Sequence, residues 1–177
     1  MRKAFLFTLI GLMALASCKP DKNEWSKVYG YTQEDIVGEY TNSNIDDAFD
    51  GLEEVEENHY CHLCDDATIT ITPSGSSNIS LNIQCPEAGF SRTFQGNPAK
   101  MDDDFLIRMS SGYLYSGGRL RAYNLMAYVY RNEAQQIRLH GFASLDNYTL
   151  VYPIPDNPNA DTIKSNSHTY YFDVIKN

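Results

Sequence analysis

The chain has 177 residues, of which 42% are hydrophobic and 12% aromatic, a composition that suits a globular protein with its own core and excludes a disordered one. Its formal charge of −9, from 14 Lys and Arg against 23 Asp and Glu, opposes binding to phosphate-rich partners, so nucleic acid is excluded as a ligand class. The length suits one domain.

The first segment carries Arg2 and Lys3, an apolar run from Ala4 to Met13, and small residues before a cysteine, which are the parts of a secretory signal. The run is too short to cross a bilayer as a helix, which takes about 20 residues. Leu15-Ala16-Ser17-Cys18 resembles the lipobox of bacterial lipoproteins. The resemblance implies that residues 1–17 are removed, that Cys18 carries the lipid, and that the rest folds outside the cytoplasm. The acyl chains are then the expected membrane contact, each buried methylene contributing about 0.8 kcal/mol. Lys19 follows the cysteine where Asp would signal retention, so the expected location is the cell envelope, at the outer membrane. Loss of Arg2 and Lys3 moves the net charge from −9 to −11. Three cysteines remain, and an odd number in an oxidising compartment predicts one disulfide and one thiol left over.

Residues 18–33 are polar, contain Pro20 and lack periodicity, and they read as a lipidated tether, with Trp25, Tyr29 and Tyr31 as residues able to pack back. Residues 34–177 read as the folded domain. Its first expected strand is Ile36–Thr41. The acidic block Asn44–Asn58 has helical spacing of Ile45, Ala48, Phe49, Leu52 and Val55, interrupted by Gly51, and predicts a short helix or ordered loop. The alternation of Ala67, Ile69 and Ile71 with threonines, and of Ile79, Leu81 and Ile83 across Pro73–Ser77, predicts a hairpin from 67 to 85. Further strands are expected at Phe90–Phe94, Asp104–Met109, Tyr113–Tyr115, Leu120–Tyr130, Gln136–Ala143, Tyr148–Tyr152 and Thr169–Ile175. Turn chemistry separates them at Gly96-Asn97-Pro98, Gly117-Gly118, Asn132-Glu133-Ala134 and Asp146-Asn147. The proline-containing stretch Pro153–Ser167 reads as a surface loop. About eight to ten short strands with hairpin-length links predict an all-β fold, an antiparallel meander barrel, with a β-sandwich as the alternative.

Gly38-Glu39-Tyr40 on the first strand resembles the Gly-x-aromatic entry strand of lipocalin-like, or calycin-type, barrels. The layout of lipobox, tether, entry strand, meander and a final strand with Tyr170-Tyr171-Phe172 is similar to the small lipocalin-like lipoproteins of Bacteroidota. The resemblance implies a barrel with a small apolar cavity at one mouth.

His59-Tyr60-Cys61-His62-Leu63-Cys64 has the donor types of a zinc site, but such sites draw ligands from two separated elements, and the compartment favours oxidation. A disulfide is preferred, with Cys64–Cys85 the first pairing and Cys61–Cys85 the second. A regular hairpin register would set Cys85 opposite Asp65, which gives the wrong side-chain parity for a direct Cys64 bridge unless a bulge intervenes. No metal ligands and no cofactor are assigned. Asp46 to Glu57 partly matches an EF-hand loop but lacks the third-position ligand at Ala48, so it reads as a solvated acidic face. No Gly-x-Ser-x-Gly is present, His140 and His168 read as isolated strand histidines, and Asp102-Asp103-Asp104 reads as an edge guard, so no catalytic residue is assigned and the protein is expected not to be an enzyme. Tyr123, Tyr128, Tyr130, Tyr148 and Tyr152 are the ligand-binding candidates, with Tyr128 and Tyr130 on one strand face and Tyr123 on the other. Asp161-Thr162-Ile163 resembles the O-glycosylation acceptor of exported Bacteroidota proteins, with Thr162 as the acceptor. The expected function is non-enzymatic binding of a small apolar or glycan-like ligand at the cell envelope. The alternative is an acidic module that binds an envelope protein partner, in the manner of lysozyme inhibitors.

Overall fold

The computed structural model describes residues 24–28, 30–45, 59–98, 106–116, 119–151 and 161–177. Cys18, the acidic stretch 46–57, residues 102–104 and Tyr152 lie outside the described residues, and Thr162 is described in its backbone alone. The protein is all-β. Among the described residues its strands are β1 (Ser26–Lys27), β2 (Gly38–Asn42), β3 (His59–Leu63), β4 (Thr68–Pro73), β5 (Ile79–Cys85), β6 (Phe90–Gly96), β7 (Leu106–Ser116), β8 (Arg119–Arg131), β9 (Ile137–Val151) and β10 (Asp161–Lys176), with one helical turn, α1 (Gln33–Ile36).

Two meanders, β4–β5–β6 and β7–β8–β9–β10, are joined because β2 pairs antiparallel with β10 on one side and with β4 on the other. The ten strands make one curled sheet that does not close: among the described residues no ladder links β6 to β7. Side chains reach across instead, where Arg92 of β6 donates through Nε and Nη2 to Ser111 Oγ of β7 at 3.2 and 3.1 Å. Two short strands sit off the meander. β1 pairs with the end of β8, and β3 runs parallel to β10 just past the reach of β2.

The alternation of the hairpin does what its pattern predicts. Ile69 pairs with Ile83 and Ile71 with Leu81, and all four side chains are buried while the threonines between them stay outside. Phe94, Phe172, Tyr40, Leu125 and Val174 complete a continuous core. At roughly 25 cal/mol per Å² of apolar surface, this burial is the main force holding the sheet curled. The curl also needs a glycine. A Cβ on Gly141 of β9 would collide with the Met126 carbonyl and the Ala127 Cα of β8, so the two backbones approach more closely than any side chain allows.

The entry segment explains its Gly-x-Tyr. Gly38 has φ +151°, and a Cβ there would meet Lys176 Cε at 2.6 Å. Two residues on, the buried Tyr40 hydroxyl donates to the Ile36 carbonyl at 2.6 Å, which ties the strand to the turn before it. Burial raises the Tyr40 hydroxyl far above its usual range, helped by the charge of Asp35. That turn, α1, replaces the start of the expected strand. Thr32 and Asp35 form a reciprocal capping box, with Thr32 N–H donating to Asp35 Oδ2 at 2.7 Å.

Other boundaries also differ from expectation. Residues 24–33, assigned to the tether, are partly held by the fold: Ser26 and Lys27 pair with β8, and Trp25 and Tyr31 are buried. Asp146-Asn147 is no turn, because β9 runs unbroken through it; Asp146 is buried and accepts from Ser167 Oγ at 2.6 Å. The expected loop 153–167 ends early, as β10 pairs with β9 from Asp161 onward. Its polar residues are recruited by backbone pairing, which hydrophobic patterning does not report. Cys85 stands in register with the position of Ala67, not Asp65. The chain turns at Asp65-Asp66, with Ala67 N–H donating to the Cys64 carbonyl at 3.1 Å, and this brings Cys64 back to bridge Cys85 across a Cα separation of 5.6 Å. Strand parity does not apply across a turn, so no bulge is required.

The bridge spans a sequence separation of 21 residues. Loop-closure entropy makes this worth about 3 kcal/mol, so urea unfolding of a C64A/C85A variant should show a loss of that order, and an unchanged midpoint would contradict it.

Candidate ligand-binding face

The long strands β8, β9 and β10 carry a second face, opposite the core. Leu125, Ala127 and Val129 of β8 turn inward, so Met126, Tyr128 and Tyr130 turn out. On β9, Leu139 and Ala143 face the core and Arg138, His140 and Phe142 oppose them; on β10, Phe172 and Val174 are core and Tyr171 and Asp173 are not. The register then lines these residues up in rows across the three strands. Tyr128 pairs with His140 and His140 with Asp173; Met126 pairs with Phe142 and Phe142 with Tyr171; Tyr130 pairs with Arg138.

The charged groups lie beneath the rings. Arg138 is 2% exposed and grips Asp173 with two bonds, Nε to Oδ1 at 2.7 Å and Nη2 to Oδ2. His140 Nδ1 meets Asp173 Oδ2 at 3.0 Å. Burial pushes the Asp173 carboxyl up, but the bonds from Arg138 and His140, the Arg138 charge and a bond from Ser43 outweigh it and hold the group below the usual carboxylate range. Over this layer, the Tyr130 ring stands edge-on to His140 with centroids 6.3 Å apart, and the Arg138 guanidinium lies 5.4 Å from the Tyr130 centroid. Tyr128 and Tyr130 are 6.4 Å apart at 61°, and Lys27 Nζ of β1 sits 4.1 Å over the Tyr128 ring. Phe142 and Tyr171 extend the aromatic strip, with centroids 5.8 Å apart.

Of the tyrosines singled out from the sequence, the structure brings Tyr128 and Tyr130 together. Tyr123 faces the other way, packed against the core with the Arg92 guanidinium 4.0 Å over its ring. Tyr148 lies eight residues past His140 on β9, a strand distance of about 26 Å. The four described tyrosines therefore do not form one surface, and Tyr152 lies outside the described residues. Periodicity on each strand was readable, but the offset between strands was not. His140, read as an isolated strand histidine, is in fact held by a carboxylate, and Arg138 and Asp173 carried no sequence signal. A depression of about 840 Å³ lined by Glu24, Lys27, Arg131 and Glu133 adjoins one edge of the face.

The cysteine–histidine stretch is split by the alternation of β3. His59 and Cys61 turn toward the outer face, where His59 Nε2 lies 2.8 Å from Thr169 Oγ1 and Cys61 bonds with Tyr171. His62 turns to the core face, and Cys64 is in the disulfide. Among the described residues no group of three or more His, Cys, Asp or Glu is placed to hold a metal ion.

No protein-family model matches the chain, and comparison with curated proteins and with solved structures returned no match.

The Arg138–Asp173 pair is the stressed point of the face. Removing the carboxylate in D173A takes the bidentate partner from a buried guanidinium and should cost about 3–5 kcal/mol in denaturant unfolding. Because the folded Asp173 is held below its free value of 3.8, its contribution is complete above that pH and is lost as pH falls through the lower folded value. The wild type should therefore lose stability at acid pH along a limb that D173A partly lacks.

Proposed function

We propose that this chain is a lipid-anchored protein of the cell envelope that binds a glycan-like ligand, without chemistry, on the outer face of β8, β9 and β10. The observation that carries the reading is the strip of Tyr128 and Tyr130 laid over the buried Arg138–Asp173–His140 chain, with Lys27 at its edge. Half-buried rings in a fixed orientation offer flat apolar faces for the C–H side of a sugar ring. The contact between His140 Nδ1 and Asp173 fixes the imidazole beside these rings.

A glycan fits better than an apolar ligand held inside. Tyr40, Phe94, Phe172, Leu125 and the hairpin isoleucines fill the described interior, each 1% exposed or less. One end is closed by α1, whose Gln33 side chain donates to the Gly75 and Asn78 carbonyls of the β4–β5 turn at 3.3 and 2.7 Å. The lipid anchor rests on Leu15-Ala16-Ser17-Cys18 and places such a face at the envelope.

Screening the protein against envelope and host polysaccharide fragments, then titrating a hit by NMR, tests this reading. Y128A and Y130A should each weaken binding about tenfold, in line with the 1–3 kcal/mol of a central aromatic contact, while Y123F and Y148A leave it unchanged. Absence of any glycan hit, or binding indifferent to both Tyr128 and Tyr130, would overturn it.

A further inference from the structure

At the opposite end of the sheet β3 adds to the edge of β10, and an imidazole pair joins the two strands beside their backbone ladder. The strand joins β10 through five parallel register pairs, from Ser167–His59 to Tyr171–Leu63. On the core face of this junction lies a set of near-parallel rings drawn from both strands and from β6. Tyr60 packs on His168 at 4.8 Å, His62 on Tyr170 at 4.9 Å, and Tyr170 on Phe90 at 4.1 Å. The set runs from Phe90, 6% exposed in the core, to Tyr60, 50% exposed at the rim.

His62 and His168 meet in the middle. His62 Nε2 and His168 Nδ1 are 3.1 Å apart, and the ring planes agree within 8°. Their centroids are 5.4 Å apart, about as far as that nitrogen separation permits, so the nitrogens lie close to the line between ring centres. This is the geometry of an N–H···N hydrogen bond with one proton between two rings.

One proton suits this contact and two do not. With both rings charged, the acceptor is lost and two cations face each other at hydrogen-bond distance in a partly buried site. Among the described residues no carboxylate contacts the pair. On β9 the cross-strand partners of His168 and Tyr170 are Leu145 and Ala143, and β6 contributes Phe90. On β3 the titratable neighbours are His59, Tyr60 and Cys61, and beyond Tyr170 stands Tyr123 under the Arg92 guanidinium. Burial lowers the proton affinity of His168, and His62 and His59 lower it further.

We propose that the His62–His168 pair is an acid-released latch that holds β3 on β10 over one end of the curled sheet and frees it when both rings are protonated. The direction follows from linkage. His168 binds its proton less tightly with β3 docked than in a free chain, so docking is complete above the free value of 6.5 and weakens as pH falls through it. The Cys64–Cys85 bridge just past β3 keeps the strand attached, so it swings away without leaving. Opening would uncover Tyr170 and Phe90 at that end. The device is independent of the glycan reading, since it lies on the core face of β10.

Hydrogen exchange read by mass spectrometry, corrected for the intrinsic pH dependence of amide exchange, tests the latch on the oxidised protein. The opening constant of amides 59–63 should rise about tenfold or more from pH 7 to pH 5, while amides of β4 and β5 hold steady. H168F, which keeps a flat ring but cannot titrate, should flatten that response, and H62Q should do the same should H168F fold poorly. A β3 opening that ignores pH, one that rises equally in the variants, or one that rises in step with β4 and β5 would each overturn the proposal. Imidazole NMR gives a second reading: coupled titration with His168 protonating below 6.5 is expected, and two independent, ordinary titrations would refute it.

Discussion

The backbone ladder of β10 is the constraint on which the rest depends. This one strand pairs with β9 along nearly its whole length, with β2 near its end, and with β3 in its middle. Without the β2 contact the two meanders would be separate sheets, each with one apolar face exposed. The side-chain period of two then assigns every residue of β10 to a side. Tyr170, Phe172 and Val174 go to the core, with His168 in line, while Tyr171 and Asp173 go to the outer face. A one-residue slip would send Asp173 into the core and Phe172 into water, so the core and the candidate face are specified by the same register.

How much of this was legible varies with the kind of signal. The all-β class and the 67–85 hairpin were readable because burial on one face leaves an alternating pattern. Tyr128 and Tyr130 sharing a face followed from the same period. Three features were not readable. Asp146-Asn147 has turn chemistry, yet a buried hydrogen bond from Ser167 keeps it within a strand, and Ser167 is distant in sequence. The polar start of β10 has no apolar stripe because its order comes from pairing with β9. The grouping of Tyr128, His140 and Asp173 depends on the offset between strands, which no single-strand pattern carries. The Thr32-to-Asp35 capping box was the exception, a local signal present in the chain but cut by the tether boundary placed after residue 33.

The two strand histidines illustrate how the partner decides the role. His140 and His168 look alike in sequence, each isolated in a strand. The register gives His140 a carboxylate that is itself gripped by a buried arginine, which fixes one ring orientation. It gives His168 another imidazole, which makes a bond that depends on there being only one proton to share. The first arrangement is a rigid support; the second is the contact proposed to open in acid. They meet β10 on opposite faces, at Asp173 and at His168, five residues apart.

That separation bears on how the sheet accommodates a ligand at all. A barrel can hold a molecule inside only if its inward side chains are small enough to leave room, and here Tyr40, Phe94 and Phe172 occupy that space. The aromatic residues left for recognition are those the period sends outward. An outward face has no walls, so its rings must be oriented by what lies under them, and the Arg138–Asp173 pair does this at the cost of burying two charges. A hydrophobic pair of similar size would hold the strands together as well or better. The ion pair offers in addition a fixed acceptor for His140, and thus a defined pattern of hydrogen-bonding groups among the rings. A buried charge pair beneath half-buried aromatics is thus what the proposed recognition on the outer face would account for and stability alone does not.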